Sequence, residues 1–450
     1  GLLNWEPSFH RGSPNLCLKQ PPKNERARLL LVKFTSLFQG GSMPKPNRYI
    51  GLDVHKYYLI AIAVDQDLNK VYGPQRVELS KLGEWIEKTI TQQDAVVLEM
   101  TGNTWQIHDE LVSHAQSVTV VHPPHVSLIV RAQVMNDKIA AMALARLHAK
   151  GLLVGIWVPP QEIRELRTLT AQRHKMVQLK TQAKCRLQAT LHRYHILPPE
   201  DVKLFSKDNE TWWKELPVSA LEKVRIESDL ATLAFAEGQI RHLEKQMAEW
   251  GAKEVSVTRL MQVTGIGLVT SITLMAAIGD IRRFPSANQL VGYSGLGAKV
   301  HDSGMTTRTG GITKAGRKDI RAALVEAAQT AVLHDLHWKA ELKRLEPRIG
   351  RSKAIVAIAR KMLVVVWYLL AKETLVHQAD PDRLARKFLE FAYSMEKDQR
   401  GKSAQAFVRE RLDLLGIGTE MEFIRQGRRR IPLPKSSLPA KKEVSGVLNT

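Results

Sequence analysis

The chain has 450 residues, enough for about three domains of typical size. Hydrophobic residues make up 44% of it and charged residues 25%, which excludes a collagen-like, wholly disordered or membrane-embedded protein. The formal net charge is +21, and this basic excess predicts a polyanionic partner, with nucleic acid ahead of an anionic membrane.

Two features bear on the cellular setting. Cys17 and Cys185 are too few for a cysteine-based zinc site or a disulfide-stapled secreted fold, so we expect a reducing, intracellular compartment. The most apolar stretch, residues 354–371, carries Arg360 and Lys361 at its middle, where a bilayer would disfavour them. We predict a buried core helix there and no membrane partner.

The opening segment differs from the rest of the chain. Residues 1–42 form an irregular stretch punctuated by proline and asparagine, and Met43 stands directly before the first strand-like pattern. We interpret residues 1–42 as a non-native or disordered extension. Without this segment the chain is still strongly basic.

Residues 43–155 predict an α/β domain with a mixed sheet. A meander of apolar, β-branched strands begins at Arg48, and helices and strands alternate after it. The later predicted strands are residues 95–98 and 118–121, and the predicted helices are residues 79–90, 105–114 and 136–149. Alternating helices and strands after an opening meander are typical of this fold class.

Residues 160–252 predict a basic helical hairpin or short coiled coil. Apolar residues spaced by three and four run through residues 163–194 and 220–250. The other faces of the first helix are strongly basic, which indicates a nucleic-acid surface, although a solvated helix face has the same pattern. The nucleic-acid-binding candidates are Arg173, Lys180 and Lys184.

Residues 255–395 predict a mostly α-helical domain, and residues 396–450 predict a basic, partly disordered tail. Gly265 and Gly267 precede a predicted helix, as in a helix–hairpin–helix whose backbone N–H groups approach a phosphate, although a plain tight turn fits the two glycines better when they are taken by themselves. A glycine-rich loop over residues 292–316 contains Ser303, either a nucleophile or part of an ordinary Ser-Gly turn. The basic residues that follow in or near this loop are Arg308, Lys314, Arg317 and Arg321.

Three carboxylates are candidates for a metal site. Asp53 lies in the first apolar strand, Glu99 ends a buried strand, and Asp137 begins a helix. Oxygen ligands from neighbouring strand ends and a following helix suit one or two Mg²⁺ ions that act on a phosphodiester. Each residue alone also has an ordinary interpretation: a turn former, a surface residue and a residue favoured by the helix dipole, respectively.

Several motifs, taken together, resemble one known family. They are Tyr49–Lys56 (YIGLDVHK), Leu98–Gly102 (LEMTG), Asn136–Lys138 followed by Ala143–Leu147, Gly265–Gly267, Tyr293–Leu296, Ser303–Gly304 and Ile312–Gly316. In this order and spacing, from about Arg48 to Leu333, they resemble the DEDD transposases of the insertion-sequence family numbered one-ten, relatives of the Piv DNA invertase.

The resemblance implies a RuvC-like, RNase H-like α/β domain, a helical coiled-coil middle and a mostly α C-terminal transposase domain. It implies that Asp53, Glu99 and Asp137 bind Mg²⁺ and that Ser303 attacks DNA, so that strands exchange through a phosphoserine link. The carboxylates and the serine would come from different protomers of a homo-oligomer. The implied partners are donor DNA, target DNA and a structured noncoding bridge RNA, and the implied location is the prokaryotic cytoplasm, nucleoid-associated when bound.

One position departs from the family pattern. The third family motif pairs two aspartates three residues apart, and Ala140 stands at the second position in this chain. An alanine cannot ligate a metal. This chain is therefore naturally defective, was altered to trap a complex, or uses another carboxylate.

Two other functions stay open from the sequence. A metal nuclease of the Holliday-junction type would need the carboxylates but not Ser303. A DNA- or RNA-binding scaffold with a decayed carboxylate site would need neither. All three functions would account for the basic charge, because each requires contact with phosphates.

Overall fold

The computed structural model describes residues 18–19, 44–124, 126, 136–200, 203–303, 306–376 and 379–439. The chain divides into two compact units, one of residues 24–160 and the other of residues 1–23 and 161–450. Within the predicted 1–42 extension, the structure describes strand β1 (Leu18–Lys19), which pairs antiparallel with Leu375–Val376. The rest of that predicted extension lies outside the described residues.

A five-stranded mixed sheet forms the first unit. Its strands are β2 (Arg48–Val54), β3 (Tyr58–Val64), β4 (Lys70–Glu78), β5 (Asp94–Glu99) and β6 (Ser117–Val121), and its helices are α1 (Leu82–Thr89), α2 (Thr104–Leu111) and α3 (Asp137–Ala149). The strand order is β4-β3-β2-β5-β6, with β2, β3 and β4 antiparallel and β2, β5 and β6 parallel. The predicted mixed α/β sheet is confirmed, and its form is compatible with an RNase H-like fold.

Burial explains the sequences of the central strands. β2, β3 and β5 lie inside the sheet and are covered on both faces, so they are almost continuously apolar rather than alternating. Arg48 at the start of β2 donates to the buried carboxylate of Asp94 at the start of β5, with Nη2 2.7 Å from Oδ2. This ion pair helps set the parallel register in which Leu52 lies beside Leu98.

Two long antiparallel helices open the second unit. They are α4 (Gln161–Arg193) and α6 (Ala220–Lys253), and the short helix α5 (Glu210–Lys214) lies between them in the chain. Four ion pairs join the long helices, and we call them the ion-pair ladder: Arg173–Glu244, Lys180–Glu237, Arg186–Asp229 and Arg193–Glu222. Residue numbers rise along α4 while those of the partners fall along α6, which is the signature of an antiparallel pair.

The apolar seam of this helical hairpin follows a seven-residue spacing. Ile226, Leu233, Ile240 and Met247 of α6 are all buried. A seven-residue repeat keeps one face of a helix against its partner. The predicted helical hairpin is therefore confirmed, and its supercoiling stays a prediction.

Helices dominate the rest of the second unit. They are α7 (Val255–Leu260), α8 (Leu268–Ile278), α9 (Ala287–Ser294), α10 (Lys318–His334), α11 (Leu336–Ile349), α12 (Arg351–Ala371), α13 (Pro381–Tyr393), α14 (Lys397–Arg400) and α15 (Ala404–Leu415). The strands are β7 (Ala298–Ser303), β8 (Thr306–Ile312), β9 (Leu375–Val376), β10 (Phe423–Gln426) and β11 (Arg429–Pro432). The mostly α-helical character predicted for this part is confirmed.

Helix α12 is long and apolar enough to cross a membrane by length and composition. Its apolar side chains nevertheless pack in the core of the second unit, where Ile358, Met362, Leu363 and Val366 are fully buried. The predicted core helix is confirmed.

One prediction about an irregular segment was wrong. The loop expected over residues 292–316 is largely an antiparallel hairpin of β7 and β8, because β-branched residues such as Thr306, Thr307 and Thr309 favour an extended backbone. The tail predicted to be partly disordered over residues 396–450 is folded from α14 to β11, since Phe407, Leu412 and other apolar residues of α15 are buried in the core. Residues 440–450 lie outside the described part of the chain.

Candidate active site

The approach of helix α3 to strand β2 depends on Gly51. A Cβ atom at Gly51 would lie 2.1 Å from the backbone oxygen of Ala141 and 2.6 Å from the backbone nitrogen of Ala145. Both alanines are fully buried. Small residues on both elements therefore let the helix rest directly on the strand.

This contact brings two carboxylates together. Asp53 lies two residues after Gly51, so it projects from the same face of the strand. Asp137 lies one helical turn before Ala141, on the helix face that packs against the strand. The Asn136 side chain accepts a hydrogen bond from the Ile139 backbone N–H at 2.9 Å and begins the helix at this point.

A histidine lies between the two carboxylates. His55 Nε2 is 3.2 Å from Asp53 Oδ2 and 3.2 Å from Asp137 Oδ2. The ligand atoms of these three residues all lie within 4.8 Å of one another. The Tyr58 hydroxyl donates to Asp137 Oδ2 at 3.1 Å, and the Tyr58 ring stacks on the His55 ring with 4.6 Å between centroids.

Glu99 adds negative charge beside this group. It follows Leu98 in β5, and Leu98 pairs with Leu52 just before Asp53. Burial raises the pKa of Glu99, and the charge of Asp53 raises it further. Burial also raises the pKa of Asp53, while His55 lowers it and Asp137 raises it. The structure thus brings Asp53 and Asp137 together with His55, and Glu99 lies outside this tight three-atom group.

The sequence analysis missed His55 and Tyr58. The alternation of side chains along β2 was the available signal, because residues 51, 53 and 55 share one parity. Ala140, at the position of the absent carboxylate, lies in the first turn of α3, where its N–H donates to the Asn136 carbonyl at 2.9 Å.

The serine candidate ends strand β7. Its backbone pairs with Thr306 across the hairpin, and Arg308 pairs with His301. The side chains of Ser303 and Arg308 lie outside the described part of the chain, so the role predicted for each stays a prediction.

Three basic residues follow the hairpin. Arg317 forms an ion pair with Asp319, with 2.5 Å between Nη2 and Oδ2. Arg321 donates to the Ser294 carbonyl at 2.8 Å and the Gly316 carbonyl at 3.2 Å. Lys314 is exposed and adopts a positive φ of 56°. Arg321 thus holds the local backbone, Arg317 pairs with a neighbouring carboxylate, and Lys314 presents its side chain to solvent.

The two glycines between α7 and α8 have different roles. Gly265 has a φ of +89°, and a Cβ there would lie 2.1 Å from the backbone oxygen of Ala327. Gly267 precedes α8 and faces open space. Lys387 Nζ donates to the backbone oxygens of Met261, Val263 and Ile266, each at 2.8 Å. These three hydrogen bonds hold the turn between α7 and α8 in place. A backbone approach to a phosphate remains a prediction for Gly267.

The basic candidates of the helical hairpin have partners within the chain. Arg173 and Lys180 belong to the ion-pair ladder. Lys184 Nζ lies 4.8 Å from the centroid of the Phe205 ring. The structure therefore assigns Arg173 and Lys180 a part in joining the two helices, which sequence periodicity alone did not indicate.

Two family models match the chain. Residues 50–196 match the IS110-type DEDD transposase model, and residues 257–343 match the model described as "Transposase IS116/IS110/IS902 family". The transposase for insertion sequence element IS1111A of Coxiella burnetii is 24% identical over 344 residues, which cover 73% of this chain and 91% of that protein. The pilin gene-inverting protein of Moraxella bovis is 26% identical over 332 residues, which cover 70% of this chain and 94% of that protein.

The α/β sheet, its converging carboxylates and these matches define a transposase or recombinase of the DEDD type. Membership of this class implies DNA substrates, DNA recombination or transposition, and a divalent metal in the α/β unit. The chain belongs to the IS110 family of insertion-sequence transposases, as the sequence motifs predicted.

The residues at the end of β2 fit a divalent metal. Two carboxylate oxygens and one imidazole nitrogen lie close enough to share one ion. Carboxylate oxygens suit Mg²⁺ and Mn²⁺, and imidazole suits the transition metals. Asp53, Asp137 and His55 would hold the ion, with Glu99 adding charge nearby, and the ion would polarise a phosphoryl oxygen of the DNA backbone.

Proposed function

We propose that this chain is an RNA-guided, site-specific DNA recombinase of a mobile insertion sequence. The observation that carries the proposal is the convergence of Asp53 and Asp137 at the end of β2, inside a sheet that matches a DEDD transposase model. In the proposed reaction Ser303 is the nucleophile, and Asp53 and Asp137, with the charge of Glu99 nearby, form the core of a divalent-metal site. The partners are donor DNA, target DNA and a structured bridge RNA, and the setting is the prokaryotic cytoplasm.

The chemistry balances without an external energy source. The Ser303 hydroxyl oxygen bonds to a backbone phosphorus atom, the bond from phosphorus to the leaving sugar oxygen breaks, and the serine proton is lost while that oxygen gains one. The phosphoserine keeps the phosphodiester energy. A sugar hydroxyl of the other strand reverses the step and releases the serine.

A covalent-adduct assay tests this chemistry. The full chain is incubated with Mg²⁺ or Mn²⁺, its co-purified nucleic acid and labelled DNA, and adducts that resist denaturation are counted. Ser303→Ala should remove the adduct, and Ser286→Ala, in the same unit, should keep it. Since Ala140 stands where the family has a carboxylate, the assay is repeated in Ala140→Asp.

The outcomes separate the three functions. Adducts that depend on Ser303 support the recombinase. Metal-dependent cutting that survives Ser303→Ala supports a nuclease of the Holliday-junction type instead. If the Ala140→Asp chain also neither cuts DNA nor forms an adduct, a binding scaffold is favoured. The alanine at position 140 supports that alternative, because it removes one carboxylate of the family motif.

Mixing variants tests the proposed homo-oligomer. If one protomer supplies the carboxylates and another the serine, Asp53→Asn and Ser303→Ala chains are each inactive but form adducts when mixed. A mixture that stays inactive, with both variants folded and associated, contradicts a site shared between protomers.

The RNA partner has a test of its own. The nucleic acid that co-purifies with the chain is sequenced. A discrete, structured RNA supports guidance, and a random mixture contradicts it and leaves general affinity for phosphates, which the +21 charge alone would provide.

A further inference from the structure

We infer that His55 is a ligand of the divalent metal in this chain, that it compensates for the carboxylate missing at Ala140, and that the site consequently prefers Mn²⁺ to Mg²⁺. The inference rests on the metal site of the proposed function. It concerns the identity of the ligands and of the ion, rather than the reaction itself.

The distances suit a coordination sphere. His55 Nε2 lies 3.2 Å from a carboxylate oxygen of Asp53 and 3.2 Å from one of Asp137. Two adjacent ligands at right angles around an ion, with bonds of about 2.1 to 2.2 Å, lie about 3.0 to 3.1 Å apart. The imidazole nitrogen therefore needs little movement to share an ion with both oxygens.

The imidazole is held in this orientation by groups other than the carboxylates. The Tyr58 ring stacks on it with an interplanar angle of 25°. The Asn103 side chain donates to the His55 backbone oxygen at 3.1 Å, which fixes the chain just after β2. The hydroxyl of Tyr58 donates to Asp137, so one side chain orients two of the three ligands. Such supporting contacts are typical of metal ligands.

The surroundings leave few other ligands. Ala140 offers no donor atom in its side chain, and Glu99 lies outside the three-atom group. Within the described ranges, the group of Asp53, His55 and Asp137 is the one cluster of three such side chains close enough for a metal. The third ligand beside the two aspartates is therefore the imidazole nitrogen of His55 rather than a carboxylate oxygen.

A nitrogen ligand changes which ion is favoured. Mg²⁺ prefers oxygen ligands and keeps much of its hydration. Mn²⁺ also favours carboxylate oxygen, but it belongs to the first-row divalent ions that bind sites of mixed nitrogen and oxygen ligands. Replacing one carboxylate by an imidazole also lowers the negative charge around the ion, which weakens the hold on Mg²⁺ most. Ala140→Asp adds a carboxylate oxygen beside His55 and should therefore raise the affinity for Mg²⁺.

Metal binding to the full chain tests the inference without any assay of activity. Titration calorimetry with MnCl₂ and with MgCl₂ gives the two dissociation constants, and pulsed electron paramagnetic resonance of bound Mn²⁺ reports a coordinated nitrogen. We expect tighter binding of Mn²⁺ than of Mg²⁺ and a nitrogen coupling in the unmodified chain. His55→Ala should abolish that coupling and weaken Mn²⁺ binding about ten- to hundred-fold.

Matched variants separate the possible failures. His114→Ala, in the same unit, should leave both dissociation constants unchanged, and circular dichroism verifies that each variant is folded. Unchanged Mn²⁺ binding in His55→Ala, or no nitrogen coupling in the unmodified chain, overturns the inference while the carboxylate site stands. Unchanged binding in Asp53→Asn and Asp137→Asn overturns the metal site, and with it that part of the proposed function.

The Ala140→Asp variant completes the test. We expect it to bind Mg²⁺ about ten-fold more tightly and to depend less on His55. If it gains no affinity for Mg²⁺, position 140 does not reach the ion and the compensation by His55 is refuted.

Discussion

The backbone oxygen of Ala141 lies where a side chain on Gly51 would begin: a Cβ atom on the glycine would be 2.1 Å from that oxygen. The backbone cannot yield as the end of a flexible side chain does. Any larger residue at position 51 must therefore push α3 away from β2, and Asp137 is carried on that helix.

Gly51→Ala should therefore damage both stability and the metal site. We expect the free energy of unfolding to fall by about 1 to 3 kcal/mol, because the extra carbon overpacks the contact. Mn²⁺ affinity should fall as well, because Asp137 moves away from Asp53. Chemical unfolding and calorimetry measure the two effects.

Gly83→Ala is the matched control for that substitution. Gly83 lies in helix α1 with open space around it, and alanine favours a helix by about 0.5 to 1 kcal/mol relative to glycine. Equal stability of the Gly51→Ala and Gly83→Ala chains would contradict the close approach of α3.

Lys387→Met should loosen the turn between α7 and α8. The lysine ammonium donates to three backbone oxygens, and methionine leaves all three without this donor. We expect a loss of about 2 to 4 kcal/mol in the free energy of unfolding. Lys339→Met removes an exposed lysine of α11 and should change it by less than about 0.5 kcal/mol. Similar values for the two variants would show that the three hydrogen bonds of Lys387 do not stabilise the turn.

Glu341 should give the stability of the second unit an acid dependence. Burial alone would raise the pKa of Glu341, but hydrogen bonds from Arg344 and Lys361 outweigh it and lower this pKa to about 2. The folded pKa lies below the ordinary value of 4.5, so the stabilisation is complete above pH 4.5 and is lost as the pH falls toward 2.

Glu341→Gln measures that contribution. The variant should be less stable than the unmodified chain at pH 7, and the difference should shrink as denaturant titrations are taken from pH 5 to pH 2. Glu326→Gln, which alters an exposed glutamate of α10, should show little difference at any pH. A constant gap between Glu341→Gln and the unmodified chain would rule out the lowered pKa.

The ion pairs of the ladder should contribute unequally to the free energy of unfolding. The Asp229 side chain is 8% exposed, and in Arg186→Ala its only remaining cationic partner among the described residues is Arg225 at 3.8 Å, so the loss should be about 1 to 3 kcal/mol. Lys180 and Glu237 are each about 30% exposed, and Lys180→Ala should cost less than about 1 kcal/mol. Replacing both Arg186 and Asp229 by leucine should recover much of the loss, and urea unfolding of the four chains checks the order.

Much of the fold could be predicted because the apolar residues that become buried recur at regular intervals in the sequence. Helix α6 was expected to begin at Ala220, where it does begin, since its apolar residues recur along one face. The short strands β5 and β6 were predicted from buried β-branched runs between helices. Of the three carboxylates that the sequence grouped, the structure brings Asp53 and Asp137 together, and Glu99 lies outside their three-atom group with His55.

The parts that sequence reasoning missed depend on contacts between distant segments. The pairing of Arg173 with Glu244 spans 71 residues, and nothing near Arg173 in the sequence distinguishes it from a phosphate-binding arginine. His55 becomes a candidate metal ligand only in the folded chain, where α3 brings Asp137 beside it. The β7–β8 hairpin was hidden because its glycines resembled those of an open loop.

The length of the helical hairpin has a mechanical consequence. Helix α4 has 33 residues and therefore extends about 50 Å, the length of roughly fifteen base pairs of duplex DNA. A rotation of only about 10° at one end would swing the other end by about 9 Å. The buried apolar seam and the ion-pair ladder both join α4 to α6 along this length, so both oppose bending of the hairpin under such a rotation.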